Sequence, residues 1–114
     1  MADKQTFGDL VASFRKKKGM SQKELAGKIR KDDGDPITPQ YLNDIEHDRR
    51  NPGSSQLISE FSRVLGVEKD KLYFLAGQVP EDIRSSSVDL KKVAGAFAVF
   101  RRTLTDKTNK RSKQ

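Results

Sequence analysis

The sequence predicts an all-α protein, with a compact domain of five helices followed by one further helix and a basic tail. Apolar residues recur at spacings of three and four along most of the chain, and no long stretch alternates apolar and polar residues as a strand does. Capping residues, prolines and glycines stand where such helices would begin and end. The expected organisation is a domain at 6–79, a linker at 80–87, an amphipathic helix at 88–104 and a disordered basic tail at 105–114.

The first three helices each follow a residue suited to capping a helix N-terminus. Thr6 precedes the first helix, Ser21 opens a capping box for the second, and Thr38, followed by proline, precedes the third. These helices are expected over residues 7–18, 22–30 and 39–49. Between the second and the third lies the aspartate-rich segment 31–36, which we expect to be a solvated, flexible loop.

Two more helices complete the predicted domain. Ser54 or Ser55 is expected to cap the fourth helix, which Gly66 ends, and Gly77 ends a short fifth helix over 70–76. The apolar residues on the inward faces of these helices are expected to form the core: Phe7, Leu10, Val11, Phe14, Leu25, Ala26, Ile29, Tyr41, Leu42, Ile45, Leu57, Ile58, Phe61, Val64, Leu65, Leu72, Tyr73 and Leu75.

The composition favours a polyanionic partner. The chain has 114 residues, a net charge of +7 and a pI of about 9.8, which favours nucleic acid first and anionic membranes second. The absence of cysteine excludes a disulfide framework and a thiolate metal site. No apolar run approaches the ~18 residues of a membrane span. The polar N-terminus does not look like a secretory signal, so a cytoplasmic location is expected.

The sequence offers little for catalysis or for a bound cofactor. A single histidine and no cysteine leave few candidates for a nucleophile and its base. The aspartates at 32–35 lack the ligand spacing and closing glutamate of a calcium loop, and no phosphate-binding GK[ST] loop is present. We therefore predict no enzyme activity, no catalytic residue, no cofactor and no metal site.

The predicted C-terminal helix carries a narrow apolar seam. Its members recur at spacings of three or four, as in helices that pack against a partner: Leu90, Val93, Phe97, Phe100 and Leu104. Because this seam lies beyond a polar linker and needs cover, we expect it to form a homodimer. The alternative is that the helix packs onto its own domain. The charge excess also lies here, since residues 1–80 carry a net +2 and residues 81–114 a net +5.

The first domain resembles a known family. The stretches FRKKKGMSQKELAGKI and YLNDIEHDRRNP carry its pattern: Arg15, Gly19, Ser21-Gln22, Leu25-Ala26, Tyr41-Leu42, Ile45-Glu46 and Asn51-Pro52. In order and spacing these residues are similar to the lambda-repressor-like, or XRE, helix-turn-helix family, over roughly residues 7–77. This chain departs from the family in the connection around 31–36, which is longer by roughly six residues than the family's tight turn. The resemblance implies binding to double-stranded DNA.

The third helix is then the expected reading helix. Opposite its buried side, helical geometry places four polar residues that we expect to read bases: Gln40, Asn43, Asp44 and His47. Gln40 and Asn43 can each offer a donor and an acceptor to adenine. Asp44 can accept from cytosine or simply be solvated, and His47 contacts DNA or is an exposed bystander.

The expected contacts with the DNA backbone come from the starts of the second and third helices and from basic residues: Gln22, Lys28, Thr38, Arg49 and Arg50. By resemblance, Gln22 touches a phosphate or supports the reading residues, with plain capping as the alternative. The family pairs an acid of the third helix with an arginine of the first, which implies a structural pair of Arg15 with Glu46. Asp48 stands at the fraying end of the third helix and is expected to be solvated.

The sequence as a whole predicts a dimeric, sequence-specific transcription regulator that binds a palindromic operator. Repression is favoured over activation, because no separate effector domain is visible in the sequence. Two alternatives remain. One is an antitoxin or restriction-control regulator of the same fold, and the other is a protein-interaction module in which Asp44 and the acidic segment face a protein partner.

Overall fold

A computed structural model describes residues 5–105 of the chain. The described residues form seven helices: α1 (Phe7–Lys17), α2 (Gln22–Lys28), α3 (Pro39–Glu46), α4 (Ser55–Leu65), α5 (Lys69–Ala76), α6 (Glu81–Arg84) and α7 (Leu90–Thr105). No strand occurs among them beyond an isolated bridge between Arg30 and Pro36. The predicted all-α class is confirmed. The chain divides between Glu81 and Asp82 into two compact units, and α1 to α5 belong to the first.

The helix starts of the first unit use the capping residues that the sequence predicts. The hydroxyls of Thr6, Ser21, Thr38 and Ser54 each accept a hydrogen bond from the backbone N–H three residues further on, at 3.0 to 3.2 Å. The cap of α4 is therefore Ser54 and not Ser55. Each bond satisfies one of the backbone donors that a helix start leaves without an internal partner.

The core of the first unit lies among α1 to α5. Phe61 of α4 is fully buried, and its ring meets that of Phe7 edge to face, with centroids 5.8 Å apart. Most of the predicted core residues are buried, whereas a few are only partly covered: Phe14, Tyr41, Val64 and Leu75. The sequence patterns missed three residues of the buried hydrophobic core, Ile37, Val67 and Ala76, which lie outside a helix or at its end.

The long connection between α2 and α3 folds as a closed hairpin. The N–H of Ile37 donates to the carbonyl of Ile29 at 2.9 Å, and the N–H of Lys31 donates to the carbonyl of Asp35 at 2.8 Å. Ile37 is buried, whereas the three aspartates at 32–35 are exposed, as predicted. The added residues thus leave the core at Arg30 and return to it at Ile37, so α2 and α3 still pack against each other.

Side chains of α4 hold the base of this hairpin. The Glu60 carboxylate accepts the N–H of Arg30 at 2.9 Å, and the Gln56 amide donates to the carbonyl of Arg30 at 3.1 Å. Arg63 donates to Glu60 at 3.0 Å and to the carbonyl of Lys28 at 3.4 Å. The hydrogen bond from Arg63, helped by that from Arg30, lowers the pKa of Glu60 below its usual 4.5. These bonds explain why α2 ends at Lys28, two residues before its predicted end.

The second unit contains α7 and all of α6 except its first residue, Glu81. The short helix α6 falls inside the segment predicted as a linker. Helix α7 begins at Leu90, where the Asp89 carboxylate accepts the N–H of Lys91 at 2.9 Å. No residue of 82–105 is buried, and only Val93 is partly covered. No helix in the described part of the chain is long and apolar enough to cross a membrane. Residues 106–114, most of the predicted tail, lie outside the described residues.

Candidate nucleic-acid interface

Helix α3 has one buried side and one polar side. Leu42 and Ile45 are 0% and 1% exposed and fix the inward direction of the helix. The four predicted base-reading residues share the other side: Gln40 and His47 are exposed, and Asn43 and Asp44 are half-buried. The structure therefore brings Gln40, Asn43 and Asp44 of α3 together with His47, the C-cap residue of this helix.

A bidentate ion pair fixes α3 to α1. Arg15 Nε lies 2.6 Å from Glu46 Oε2, and Arg15 Nη2 lies 2.9 Å from Glu46 Oε1. Arg15 Nη1 also donates to the carbonyl of Met20 at 2.9 Å. Only 4% of the Glu46 side chain is exposed. The hydrogen bond to Glu46 raises the pKa of Arg15 despite its partial burial, so this guanidinium keeps its charge at every physiological pH.

Gln22 extends this pair to the polar side of α3. Its Nε2 donates both to Glu46 Oε1 at 2.9 Å and to Asn43 Oδ1 at 3.1 Å. Gln22 is the first residue of α2, so the two bonds connect the start of α2 to the middle of α3. A continuous set of hydrogen bonds therefore runs from α1 through the buried carboxylate to a residue predicted to read DNA.

The acidic charge on the polar side of α3 is partly neutralised. Asp44 Oδ1 accepts from the Gln40 amide at 3.0 Å and lies 3.3 Å from Arg49 Nη2. Because Arg49 shares the face with this carboxylate, Asp44 would repel a nearby phosphate less than an isolated aspartate.

The remaining predicted contact residues surround α3. The Arg50 guanidinium lies 4.8 Å from the centroid of the Tyr41 ring, a cation–π contact that keeps it beside the helix. His47 Nδ1 lies 2.9 Å from the carbonyl of Asn43, and because a carbonyl can only accept, Nδ1 carries the proton. Thr38, which caps α3, and Lys28, at the end of α2, are both exposed.

Asp48 is the residue that sequence reasoning assessed wrongly. Instead of being merely solvated, its carboxylate accepts the Thr6 hydroxyl at 2.7 Å and the Gly8 N–H at 3.1 Å. Its backbone is left-handed, with φ +59°, a conformation that aspartate tolerates better than most residues. Asp48 therefore binds the N-terminus of α1 and, with the Arg15–Glu46 pair, sets the orientation of α3.

Gly8 permits this close approach. A Cβ atom on Gly8 would lie 2.5 Å from the Glu46 carbonyl oxygen and even closer to that of Ile45. Any larger residue would push α1 away from the end of α3. In the sequence, a glycine that interrupts the apolar face of a helix indicates close packing at that position. It does not identify which segment of the chain packs there.

The five-helix unit and the polar side of its third helix define a helix-turn-helix protein. A model of the helix-turn-helix family matches residues 11–72, from within α1 to within α5 and over more than half of the chain. The chain therefore belongs to this family, in its lambda-repressor-like (XRE) form, which confirms the predicted resemblance. The family consists of DNA-binding regulatory domains and not of enzymes.

The chain is also similar to a protein named for binding other proteins. A protein of Yarrowia lipolytica, whose assigned name is multi-protein-binding factor 1, is 39% identical to this chain over 61 residues. The aligned part is 54% of this chain and 36% of the relative, so the chain spans little more than a third of the relative's length. No solved structure matches the chain significantly.

Proposed function

We propose that this protein is a sequence-specific transcription regulator that binds double-stranded DNA as a homodimer and represses by occupying a palindromic operator. The observation that carries the proposal is the polar side of α3. On this side Asn43 accepts a hydrogen bond from Gln22 of α2, and Gln22 is joined through the buried Glu46 to Arg15 of α1. A reading helix needs such support, because base contacts require side chains placed to within a fraction of an ångström.

In this proposal, α3 lies in the major groove. Gln40 and Asn43 contact base edges from the first turns of the helix, and Asp44 and His47 contact bases at the adjacent positions. Contacts with the phosphates come from residues around the helix: Gln22, Lys28, Thr38, Arg49 and Arg50. Since the side-chain N–H groups of Gln22 are already engaged, we assign its phosphate contact to the backbone N–H at the start of α2.

We assign dimerisation to α7. Its five seam residues follow each other at spacings of three, four, three and four: Leu90, Val93, Phe97, Phe100 and Leu104. Leu90 is 78% exposed, Phe97 46%, Phe100 44% and Leu104 55%, an apolar surface that a second copy of the helix would cover. Two reading helices related by a twofold axis would contact two half-sites about one helical turn apart. Repression then needs nothing beyond occupation of the operator.

The proposal is tested by selecting bound duplexes from a random pool at about physiological salt, where weak electrostatic binding is suppressed. We expect a palindrome whose half-sites lie about 10 base pairs apart, centre to centre. Gln40→Ala and Asn43→Ala should each relax the preference at one position of each half-site. A selected pool that stays random would overturn the assignment of α3 as a reading helix.

The name of the Yarrowia lipolytica relative supports a second candidate, a module that binds other proteins. In this chain the exposed aspartates of the hairpin would supply the contact: Asp32, Asp33 and Asp35. The two candidates differ in their behaviour at low salt. Failure to retain any duplex at low ionic strength would favour the protein-binding module, whereas retention of duplex with a selected sequence would favour the regulator.

A further inference from the structure

We propose that Asp44 is a specificity-determining residue because it holds Arg49 back from the phosphates that every DNA sequence presents. The inference rests on the proposed function and deepens it. Contacts with phosphates carry no sequence information, so a protein that selects an operator gains selectivity when they are weakened. Asp44 would thus act twice, through its proposed base contact and through the cation next to it.

Arg49 is held beside Asp44 by its backbone as well as by its side chain. Nε and Nη2 of Arg49 both lie 3.3 Å from Asp44 Oδ1. The backbone N–H of Arg49 also donates to the carbonyl of Asp44 at 2.8 Å. The turn of the main chain after α3 therefore places Arg49 next to the carboxylate, which lowers the entropy cost that weakens most exposed ion pairs.

The carboxylate is better shielded from water than its partner. The Asp44 side chain is 24% exposed, whereas that of Arg49 is 57% exposed. Gln40 donates a further hydrogen bond to Asp44 Oδ1 at 3.0 Å, which helps to fix this oxygen on the polar side of α3. Because partly covered charges are screened less than fully exposed ones, the pair should persist near DNA at physiological salt.

The pair weakens the attraction between Arg49 and a phosphate without preventing contact. Nη1 of Arg49 makes no hydrogen bond among the described residues, so it remains for the phosphate contact proposed above. The neighbouring carboxylate repels that phosphate, so this cation displaces less of the counterion atmosphere of DNA than a free arginine does. Arg49 then helps to position the protein while adding little to its affinity for unrelated sequences.

Asp44 itself lies farther from the phosphates than Arg49 in the proposed complex. On the polar side of α3 it faces the bases, whereas the phosphates line the walls of the groove. Salt screens much of its direct repulsion of them, since the Debye length is about 8 Å at physiological ionic strength. Arg49 follows the end of the helix, where the DNA backbone passes. The effect of Asp44 on phosphate contacts should therefore depend on Arg49.

Arg50 provides an internal comparison, because it has no such carboxylate beside it. Its guanidinium lies 4.8 Å from the centroid of the Tyr41 ring, and it forms no ion pair within residues 5–105. An aromatic ring orients a cation and leaves its charge in place. Arg50 should therefore contribute fully to the affinity for any sequence, and Arg49 only in part.

The test measures binding of Asp44→Asn to the selected operator and to a random duplex of the same length. Asparagine keeps the shape of aspartate and an oxygen for Gln40, but it loses the charge that holds Arg49. Asp32→Asn, in the exposed part of the hairpin, is the matched control for the change in net charge. Asp44→Asn is also introduced into Arg49→Gln. Circular dichroism and thermal unfolding verify the fold of every variant.

We expect Asp44→Asn to bind the random duplex at least about fivefold more tightly at physiological salt, because one more cation per protomer contacts a phosphate fully. The slope of log affinity against log salt should steepen by about 0.9 for each protomer. The operator should gain less than about twofold, since the base contact of the carboxylate is lost there. A merely structural role of Asp44 would lower affinity and leave the slope unchanged.

The two comparison variants should not show this gain. Asp32→Asn should change the affinity for either duplex by less than about twofold, because it alters the net charge without releasing Arg49. In the Arg49→Gln background, Asp44→Asn should raise the affinity for the random duplex by less than about twofold, since no cation is left to be released.

Four outcomes would overturn the inference. They are an unchanged affinity of Asp44→Asn for the random duplex, an equal gain from Asp32→Asn, a gain of the same size in the Arg49→Gln background, and an equal gain on the operator. In each case the proposed function still stands, because the wild type has selected a palindrome. A wild-type pool that remains random would overturn the proposed function, and the inference with it.

Discussion

At the scale of single residues, a few long-range contacts orient α3, the proposed reading helix. Asp48 caps the start of α1 from a position just after α3, and Gly8 allows the two helix ends to meet. Arg15, about two turns after Gly8, joins the same two helices through Glu46. The orientation of α3 therefore depends on its contacts with α1 as well as on the connection from α2, which explains how the family fold accommodates a ten-residue connection at 29–38.

Two substitutions of Asp48 separate its hydrogen bonds from its backbone conformation. Asp48→Ala removes both bonds and places a Cβ-bearing residue without a polar side chain in a left-handed conformation. We expect it to lower the free energy of unfolding by about 2–4 kcal/mol, the sum of the lost bonds and the backbone strain. Asp48→Gly loses the same bonds without the strain, so it should cost about 1 kcal/mol less.

Chemical denaturation of the two Asp48 variants measures both differences. Asp32→Ala is the matched control, since Asp32 is an exposed aspartate of the hairpin, and its loss should change stability by less than about 0.5 kcal/mol. If both Asp48 variants unfold like the wild type, the bonds to Thr6 and Gly8 contribute nothing to the stability of the fold.

At the scale of the elements, local signals in the sequence predict where helices begin better than where they end. The caps at Thr6, Ser21 and Thr38 act within four residues, so the pattern alone identifies them. The ends of α2 and α3 depend on partners far away in sequence. Arg63 and Glu60 bind at the end of α2, and Asp48 turns back to α1 after α3, which no local pattern reveals.

Some features of the candidate site could likewise be predicted from local sequence, and others could not. Helical geometry was enough to predict that Gln40, Asn43, Asp44 and His47 share one side of α3. The hydrogen bonds that orient their amides could not be predicted, because Gln22 lies 21 residues from Asn43 in sequence and meets it only in the folded chain. The hairpin was likewise missed, since its closure depends on Ile37 finding a place in the core.

The base of the hairpin should show a defined pH dependence. Folding lowers the pKa of Glu60, so its ionised form stabilises the native state, and this contribution is lost as the pH falls through the lowered value. Glu60→Gln has no such titration. The stability difference between the wild type and this variant should be about 1 kcal/mol at neutral pH, and it should shrink as the pH falls below the usual pKa of 4.5.

Denaturant unfolding between pH 7 and pH 3 provides the measurement. Arg63→Met removes the main donor to Glu60 and should reduce the pH dependence in the same range, while the double variant should add little to either single one. A stability difference that is constant over this range would show that the Arg30–Glu60–Arg63 contacts do not depend on the charge of Glu60.

At the scale of the whole molecule, the proposed function assigns base reading to the first unit and self-association to the second. The first unit holds α3 and carries almost no net charge, whereas the second carries the apolar seam and most of the positive charge. Under this proposal, base selectivity and oligomeric state can be altered independently. The proposed dimer predicts that changes in α7 alter affinity for the whole operator without altering which bases are preferred.

Phe97→Ala and Val99→Ala form a matched pair for testing the dimer. Both residues are apolar and about half exposed, but Val99 lies about 140° around α7 from the centre of the seam. Phe97→Ala should weaken self-association by at least about tenfold, because it removes an aromatic residue from the middle of the interface. Val99→Ala should leave self-association unchanged.

Sedimentation at micromolar concentration measures both variants against the wild type. If Phe97→Ala and Val99→Ala weakened self-association equally, the assignment of the apolar seam as the dimer interface would be wrong. A wild-type protein that is monomeric at these concentrations would favour the alternative that α7 packs onto its own domain.

The basic C-terminal residues should determine how steeply binding depends on salt. Residues 106–114 contain four basic residues, Lys107, Lys110, Arg111 and Lys113, and one acid. Each cation that contacts a phosphate adds about 0.9 to the slope of log affinity against log salt, so deleting 106–114 should reduce that slope by up to about 3 to 4 per protomer. Because phosphates carry no sequence information, the selected operator should be the same with and without these residues.

Replacing the four basic residues with glutamine keeps the chain length and removes only the charge, so it should reproduce the effect of the deletion. An unchanged slope in the deletion would place all the phosphate contacts before residue 106, with Lys28, Arg49 and Arg50 as the next residues to substitute. A changed slope in the deletion but not in the glutamine variant would mean that the segment acts through something other than its charge. If the selected sequence itself changed on deletion, these residues would contact bases, and the separation of reading from electrostatic attraction would fail.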